Sequence, residues 1–286
     1  MNLPKTKLPY MLLLPGIVLV VAFHFLPFVD TLIISFKNAK FILPEETYAG
    51  LDNYEKILTH SRFWRSLFIT LSFVAVSITL ETMLGLCLGL MMNKRTPMSN
   101  LLRIMILVPW TIPTVVTAKM WQWMFDYNLG ILNYFPEAIG IPRVNWLGGT
   151  VPAFLSLVVA DTWKTAPFVA IIVLAGLAAI PQEMHRAAII DGANSRQRLR
   201  YIVLPLLMPV LGVAVLFRAI DAMRIFDLVY VLTGGGPGGA TETLSVYAYK
   251  LYFYKGDIGQ GAAASVIILL LVAGFGYFYT RKSFAK

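Results

Sequence analysis

The sequence predicts an all-α integral membrane protein with six transmembrane helices, and three observations lead there. Of 286 residues, 58% are hydrophobic and 14% charged, with mean hydropathy +0.70, far from the balance of a soluble globular domain. A bilayer core asks for roughly 20 apolar residues per helix. Six runs qualify, at about 9–35, 66–92, 104–125, 152–179, 205–231 and 260–280. The basic residues, finally, divide unevenly between the loops. Six spans put both termini on one side, and placing that side in the cytoplasm gives it Lys5, Lys7, Lys94, Arg95, Arg103, Arg186, Arg196, Arg198, Arg200, Arg281, Lys282 and Lys286. This is the bias expected of cytoplasmic loops. The net charge of +9 therefore points to membrane orientation. No basic tail or aromatic RNA motif accompanies it, so the expected surroundings are a lipid bilayer and not nucleic acid. With no internal repeat or low-complexity tail, residues 1–286 are expected to form a single transmembrane domain.

The first span follows Lys5 and Lys7 and is longer than a signal-peptide core, so it is expected to be retained. Span two carries Gly85 and Gly89 at the spacing that permits close helix approach, together with Glu81, read as snorkelling or as an inter-helix partner, and Cys87. As the single cysteine, Cys87 excludes an intrachain disulfide and is read as a packing residue. Pro109 and Pro113 each remove a backbone donor and predict a kink in span three, either lining a cavity or packing on a neighbour. Lys119 is read like Glu81.

Spans four and five carry ionisable residues, which at membrane depth are expected to face protein or water. Asp161 and Lys164 are three apart and predict an ion pair on one helix face. Pro167 leaves the Trp163 carbonyl without its helical donor. Trp163 and these polar groups would form a wall suited to a polyhydroxylated ligand. In span five, Arg218, Asp221, Arg224 and Asp227 follow at steps of three and predict intrahelical pairing, with Phe226 between them. A rise of about 1.5 Å per residue puts Lys164 and Asp221 on the order of 15 Å deep, where they could meet across a cavity. The other reading is a salt-bridge network holding spans four and five together.

Between these spans lies a polar, basic island, Ile180 to Pro209, assigned to the cytoplasm by charge alone. Met184, Ala187, Ala188 and Asp191 lie three or four apart, so small and apolar side chains share one helix face, and Gly192 stands where that helix would stop. A short surface helix of this kind is a docking element. No Gly-x-x-x-x-Gly-Lys-Ser/Thr loop occurs in the chain, so a nucleotide would have to be handled by another subunit.

The island resembles the cytoplasmic loop of permease subunits in binding-protein-dependent ABC importers, whose pattern is Glu-Ala-Ala, three residues, Gly, nine residues, Ile-x-Leu-Pro. Ala187, Ala188, Gly192, Ile202, Leu204 and Pro205 occupy the matching positions, flanked by Asp191 and Ala193 as in carbohydrate members. Arg186 departs from the pattern, standing where most members have Glu. TGGGP followed by TETLS after span five, and AGLDNYEKILTHSRFWRS before span two, resemble the same importers, in particular the first of their two permease subunits. WKTAPF, RAAIIDGA and LFRAIDAMRIFDLVYVLTGG resemble the trehalose and maltose branch more than the glycerol phosphate branch.

The resemblance implies the six-helix permease fold of type I importers in a bacterial or archaeal cytoplasmic membrane. It implies a non-catalytic subunit of an ATP-driven sugar importer, with an α-glucoside disaccharide such as trehalose or maltose as solute. ATPase coupling would fall to Glu183, Met184, Arg186, Ala187, Ala188, Asp191, Gly192 and Ala193, and the substrate path to Asp161, Trp163, Lys164, Phe168, Asp221, Arg224 and Phe226. The implied partners are a second permease subunit in a heterodimer, two ATPase subunits that carry ATP and Mg, and an extracytoplasmic sugar-binding protein. No cofactor or metal is expected on this chain. The rivals are a glycerol-phosphate or other small-solute importer permease and an ion-coupled secondary transporter using Asp161, Asp221 or Asp227. A membrane enzyme finds no His-Glu-x-x-His or Gly-x-Ser-x-Gly motif, and His24, His60 and His185 are dispersed.

Overall fold

The computed structural model describes residues 8–94 and 96–284; Lys5, Lys7, Arg95 and Lys286 lie outside them. In chain order the elements are α1 (Leu8–Val20), joined by a π turn to α2 (Leu26–Ser35), β1 (Lys37–Lys40), β2 (Leu43–Tyr48), α3 (Asp52–Thr59), α4 (Ser61–Met92), α5 (Pro97–Thr111), α6 (Thr114–Met124), α7 (Ile131–Ala138) and α8 (Thr150–Ala178). There follow α9 (Gln182–Ile190), α10 (Ser195–Arg198), a π turn, α11 (Leu204–Met223), α12 (Asp227–Leu232), α13 (Leu244–Tyr249), another π turn and α14 (Ile258–Phe284). Among the described residues, five continuous helical segments are long and apolar enough to cross a bilayer, and α5 with α6 makes a sixth span broken by a 96° bend. The six spans expected from hydropathy are thus present.

The chain divides into two compact units, Met1–Trp64 with Tyr247–Leu270, and Arg65–Val246 with Leu271–Lys286. In the first, an antiparallel β1–β2 hairpin interrupts the all-α pattern, which the sequence reading did not anticipate. It is tied down locally. Asn53 Nδ2 donates to the Ser35 and Lys37 carbonyls at 3.0 and 2.8 Å, and the Phe41 amide donates to the Gly256 carbonyl. The string AGLDNY therefore forms the turn and α3 start that hold this hairpin against the end of α2.

The second unit is built around α8, the most buried of the spanning helices. Along its length two apolar clusters are separated by a polar layer. One cluster joins Leu157, Val158 and Ala160 to Phe73, Trp121, Phe125, Leu228 and Leu232. The other joins Val169, Val173 and Leu177 to Val203, Leu207 and Leu211. Between them lie Asp161, Thr162 and Thr165, all buried. The face of α4 turned inward is a stripe at helical spacing, Ser66, Thr70, Phe73, Ser77, Glu81, Gly85 and Gly89, while Met83 and Leu84 stay exposed. Small residues on that stripe bring α4 close to α8: a Cβ at Gly89 would lie 2.5 Å from Val173 Cγ1. Cys87 is on the other side and exposed, which corrects its reading as a packing residue, since the stripe's period carries it away from α8.

Two spans end differently from expectation. Span three breaks at Ile112 and Pro113, because Pro113 offers no amide to continue α5 and takes an extended conformation (ψ 139°) as the cap of α6. Span five ends at Met223 and not near 231; Arg224 is its C-cap and Phe226 is non-helical at φ −129°, ψ −62°. The TGGGP segment that follows is ordered by its glycines: Gly234, Gly235, Gly238 and Gly239 all have positive φ. Thr241 Oγ1 donates back to the Gly236 carbonyl at 2.6 Å, and Thr243 Oγ1 to the Ile225 carbonyl in the break at 3.2 Å.

Candidate functional site

In the polar layer of the second unit, Arg218 is the hub. Its Nε and Nη2 donate to Glu81 Oε2 and Oε1 at 2.7 and 2.9 Å, a bidentate pair. Nη2 also donates to Asp161 Oδ2 at 3.1 Å, and Nη1 to Asp221 Oδ2 at 2.6 Å. Glu81, Asp161 and Arg218 are buried, while the Asp221 side chain is 68% exposed. One guanidinium therefore joins α4, α8 and α11 and reaches outward to a single accessible carboxylate. A rigid fork of this kind is what arginine offers and lysine does not.

The expected Asp161–Lys164 ion pair is not formed. Arg218 takes Asp161, and the Lys164 ammonium donates to the Ile112 carbonyl at the end of α5. The reason is the break. The last carbonyls of a helix lack intrahelical donors, and with Pro113 following, a cation at that negative end is favourable. The regular series in span five is corrected likewise: Arg218 and Asp221 do pair within α11, but Arg224 caps the helix through a bond from its Nε to the Ile220 carbonyl at 3.3 Å. Asp227 begins α12.

Two cavities border this layer. One of about 180 Å³ is lined by residues including Thr114, Asp161, Lys164, Asp221, Arg224, Phe226 and Asp227. The other, of about 530 Å³, is lined by Trp110, Phe168 and Phe217 with Lys164, Thr165, Arg218, Ile220, Asp221 and Arg224. Trp110 and Phe168 stack with centroids 6.2 Å apart at 29°. Of the candidate path residues, Asp161, Lys164, Phe168, Asp221, Arg224 and Phe226 border one or both cavities. Trp163 does not. It packs edge-on against Trp121 at 5.7 Å in the apolar cluster. Trp110 and Phe217 were not singled out from the sequence; the Pro113 break in the one case and the Arg218 neighbour in the other were the available signals.

The island folds as expected from its spacing. α9 ends in a Schellman arrangement, with the Ala193 amide donating to the Ala188 carbonyl at 2.8 Å and Gly192 at φ +79°. Asn194 then opens α10 through a capping box with Gln197, and the helix runs on into α11. Ala188 is buried, whereas Glu183, Met184, Arg186, Ala187, Asp191 and Gly192 are exposed and Ala193 half-buried. Ile189 and Ile190 are exposed as well, Ile190 at 85%. A charged helix with a strip of exposed apolar side chains is a surface that awaits a partner.

Residues 81–282 match the family described as the binding-protein-dependent transport system inner membrane component. The chain belongs to that family. Among its relatives, the trehalose/maltose transport system permease protein MalF of Thermococcus litoralis is 44% identical over 97% of this chain and 94% of its own length. The trehalose transport system permease protein SugA of Mycobacterium tuberculosis is 36% identical over 98% of this chain and 90% of its own. A bacterial ABC transporter that imports the acidic polysaccharide alginate has a chain of the same fold, with TM-score 0.86 at 22% identity, covering 98% of this chain and 96% of that one. The resemblance carried by the island and the TGGGP segment is thereby confirmed, and the family is one of membrane-spanning transport permeases. That membership sets aside the ion-coupled transporter and the membrane enzyme.

Proposed function

We propose that this permease forms half of the translocation path of an ATP-driven sugar importer, and that its solute is an α-glucoside disaccharide of the trehalose or maltose type. The observation that carries this reading is the 44% identity, over nearly the whole chain, to a permease named for trehalose and maltose. The second cavity agrees with it in chemistry: stacked aromatic rings beside hydrogen-bonding groups of both signs suit a neutral ligand rich in hydroxyl groups. A second permease supplies the other half of the path. Two ATPase subunits bind ATP and Mg, and a sugar-loaded binding protein docks on the face away from them.

In this reading both termini and α9 face the cytoplasm of a bacterial or archaeal cell, and α9 seats in the ATPase with Gly192 closing its end. Closure of the ATPase pair on ATP moves α9. Because α9 lies between α8 and α11, that motion tilts the helices that border the cavities and switches access from one side to the other. Arg186 gives the docking helix a basic residue where the resembled pattern has Glu, so an ion pair from a Glu at that position to a basic residue of the ATPase is not available here. The test is purification of the tagged chain in mild detergent, with identification of what accompanies it. An ATPase together with a second six-span permease supports the reading; a homomer without ATPase overturns it.

A further inference from the structure

We propose that Glu81 and Arg218 are positioning residues for solute, and that together they aim Asp221 into the translocation cavity as its hydroxyl acceptor. The inference rests on the reading that the cavities are the solute path, and it assigns roles to two residues that do not themselves need to touch sugar.

Among the described residues, Asp221 is the single acidic one lining the larger of the two cavities, and its side chain is largely exposed. An aspartate on the last turn of a helix that ends two residues later would ordinarily sample several rotamers. Here one oxygen, Oδ2, is held by Arg218 Nη1 at 2.6 Å, which leaves Oδ1 outside that bond on a residue that lines the cavity. The hold is only as firm as Arg218. That side chain has three rotatable bonds beyond its Cβ and would lose considerable freedom on being fixed. Glu81 fixes it. Its two oxygens take Nε and Nη2 in parallel at 2.7 and 2.9 Å, a geometry that fits only one orientation of the guanidinium plane. Asp161 accepts a further bond from Nη2 at 3.1 Å. Glu81 is fully buried and lines neither cavity. It therefore acts on solute through Arg218, which lines both cavities and holds Asp221.

A purely structural clamp would use the same buried charges, so the experiment must separate the two roles. The informative quantity is sugar moved per ATP hydrolysed in proteoliposomes holding the complete importer and saturating binding protein. Trehalose and maltose serve as probes. A positioning role predicts that Asp221→Asn and Glu81→Gln each lower that ratio about tenfold, as expected for one lost hydrogen bond to a charged acceptor. The double variant should be no worse than Asp221→Asn alone, because both changes act on one contact. Arg218→Lys keeps the charge but loses the fork and should resemble Glu81→Gln. A structural role predicts instead that uptake and hydrolysis fall together, with an unchanged ratio.

Should Glu81→Gln fail to accumulate, Asp221→Asn still decides, since its exposed side chain is not needed for packing. A normal ratio in that variant overturns the proposal. Failure of the wild-type complex to import either sugar on ATP overturns the underlying reading instead.

Discussion

Replacement of Gly85 and Gly89 by alanine sets two known effects against each other. In an isolated helix each change stabilises by about 1 kcal/mol, because alanine is the better helix former. Against α8 the sign reverses. A Cβ at Gly89 would lie 2.5 Å from Val173 Cγ1, 2.8 Å from its Cβ and 3.1 Å from the Ala170 carbonyl, and one at Gly85 would lie 2.6 Å from Val169 Cβ. Carbon atoms rest at about 3.5–4.0 Å, so the two helices must part by about 1 Å. No rotamer change relieves this, since each valine Cβ is fixed to the α8 backbone and both side chains are buried. Overpacking of this kind costs about 1–3 kcal/mol per site. At the middle of those ranges the double variant loses about 4 kcal/mol and regains about 2, a net destabilisation of about 2 kcal/mol. Thermal or denaturant unfolding of the purified complex in detergent measures it. Val169→Ala and Val173→Ala introduced in the same background remove the Cγ atoms and should recover part of the loss, by more than about 0.5 kcal/mol beyond additivity. A double alanine variant more stable than the parent would refute the close-approach argument. There is also a functional consequence. Glu81 lies one turn from Gly85, so parting the helices draws its carboxylate away from Arg218.

Three other perturbations have expected outcomes. Arg218→Met strands Glu81 and Asp161 as buried, uncompensated carboxylates, which costs about 3–5 kcal/mol and should sharply reduce folded protein in the membrane by fluorescence size exclusion; an undiminished yield would mean that the guanidinium does not compensate them. Gly192→Val forces a β-branched residue into the left-handed region at about 1–2 kcal/mol. No atom within 4 Å of its Cβ adds a clash, so both permeases should still copurify while the ATPase is lost, and Gly192→Asn, which tolerates that backbone, should retain it. Lys164→Met removes the donor to the Ile112 carbonyl, costs about 1–3 kcal/mol, and should reduce sugar uptake without releasing the ATPase; full uptake would show that the broken span does not depend on its cap.

Hydropathy and periodicity made the spans and α9 legible because both are local properties. A run of apolar residues needs no partner to declare itself, and Gly192 marks a helix end through its own backbone. The partners of charged residues were less accessible. Asp161 and Lys164 look paired when only the spacing on one helix is considered, yet each finds a better partner on another element: Asp161 on α11, Lys164 at the broken end of α5. Glu81 was legible as an inter-helix partner, but which helix it joins depends on how closely the Gly85–Gly89 stripe lets α4 approach α8. Trp163 illustrates the converse. An aromatic residue adjacent to charged ones in sequence is turned from them by the 100° step between neighbours on a helix, and here it joins the apolar cluster.

The two breaks also explain why so many charges are tolerated at this depth. α5 ends at Thr111 and α11 at Met223, and each helix presents the negative end of its dipole toward the same cavities. A cation sits at each end: Lys164 donates to the Ile112 carbonyl and Arg224 to the Ile220 carbonyl. These bonds satisfy backbone acceptors that water or an adjoining turn would otherwise have to serve, which matters most where a bilayer surrounds the protein. The remaining cation, Arg218, makes four hydrogen bonds, to Glu81, Asp161 and Asp221. Each basic residue of the layer thus has a partner within the fold before any solute arrives, and the exposed carboxylates on these cavities are Asp221 and, on the smaller one, Asp227. In the larger cavity Asp221 is the carboxylate set among Lys164, Arg218 and Arg224, so replacing it by a basic residue removes the negative charge that opposes an anion there and should favour an anionic sugar, measurable as uptake of a sugar acid at the expense of the neutral disaccharide.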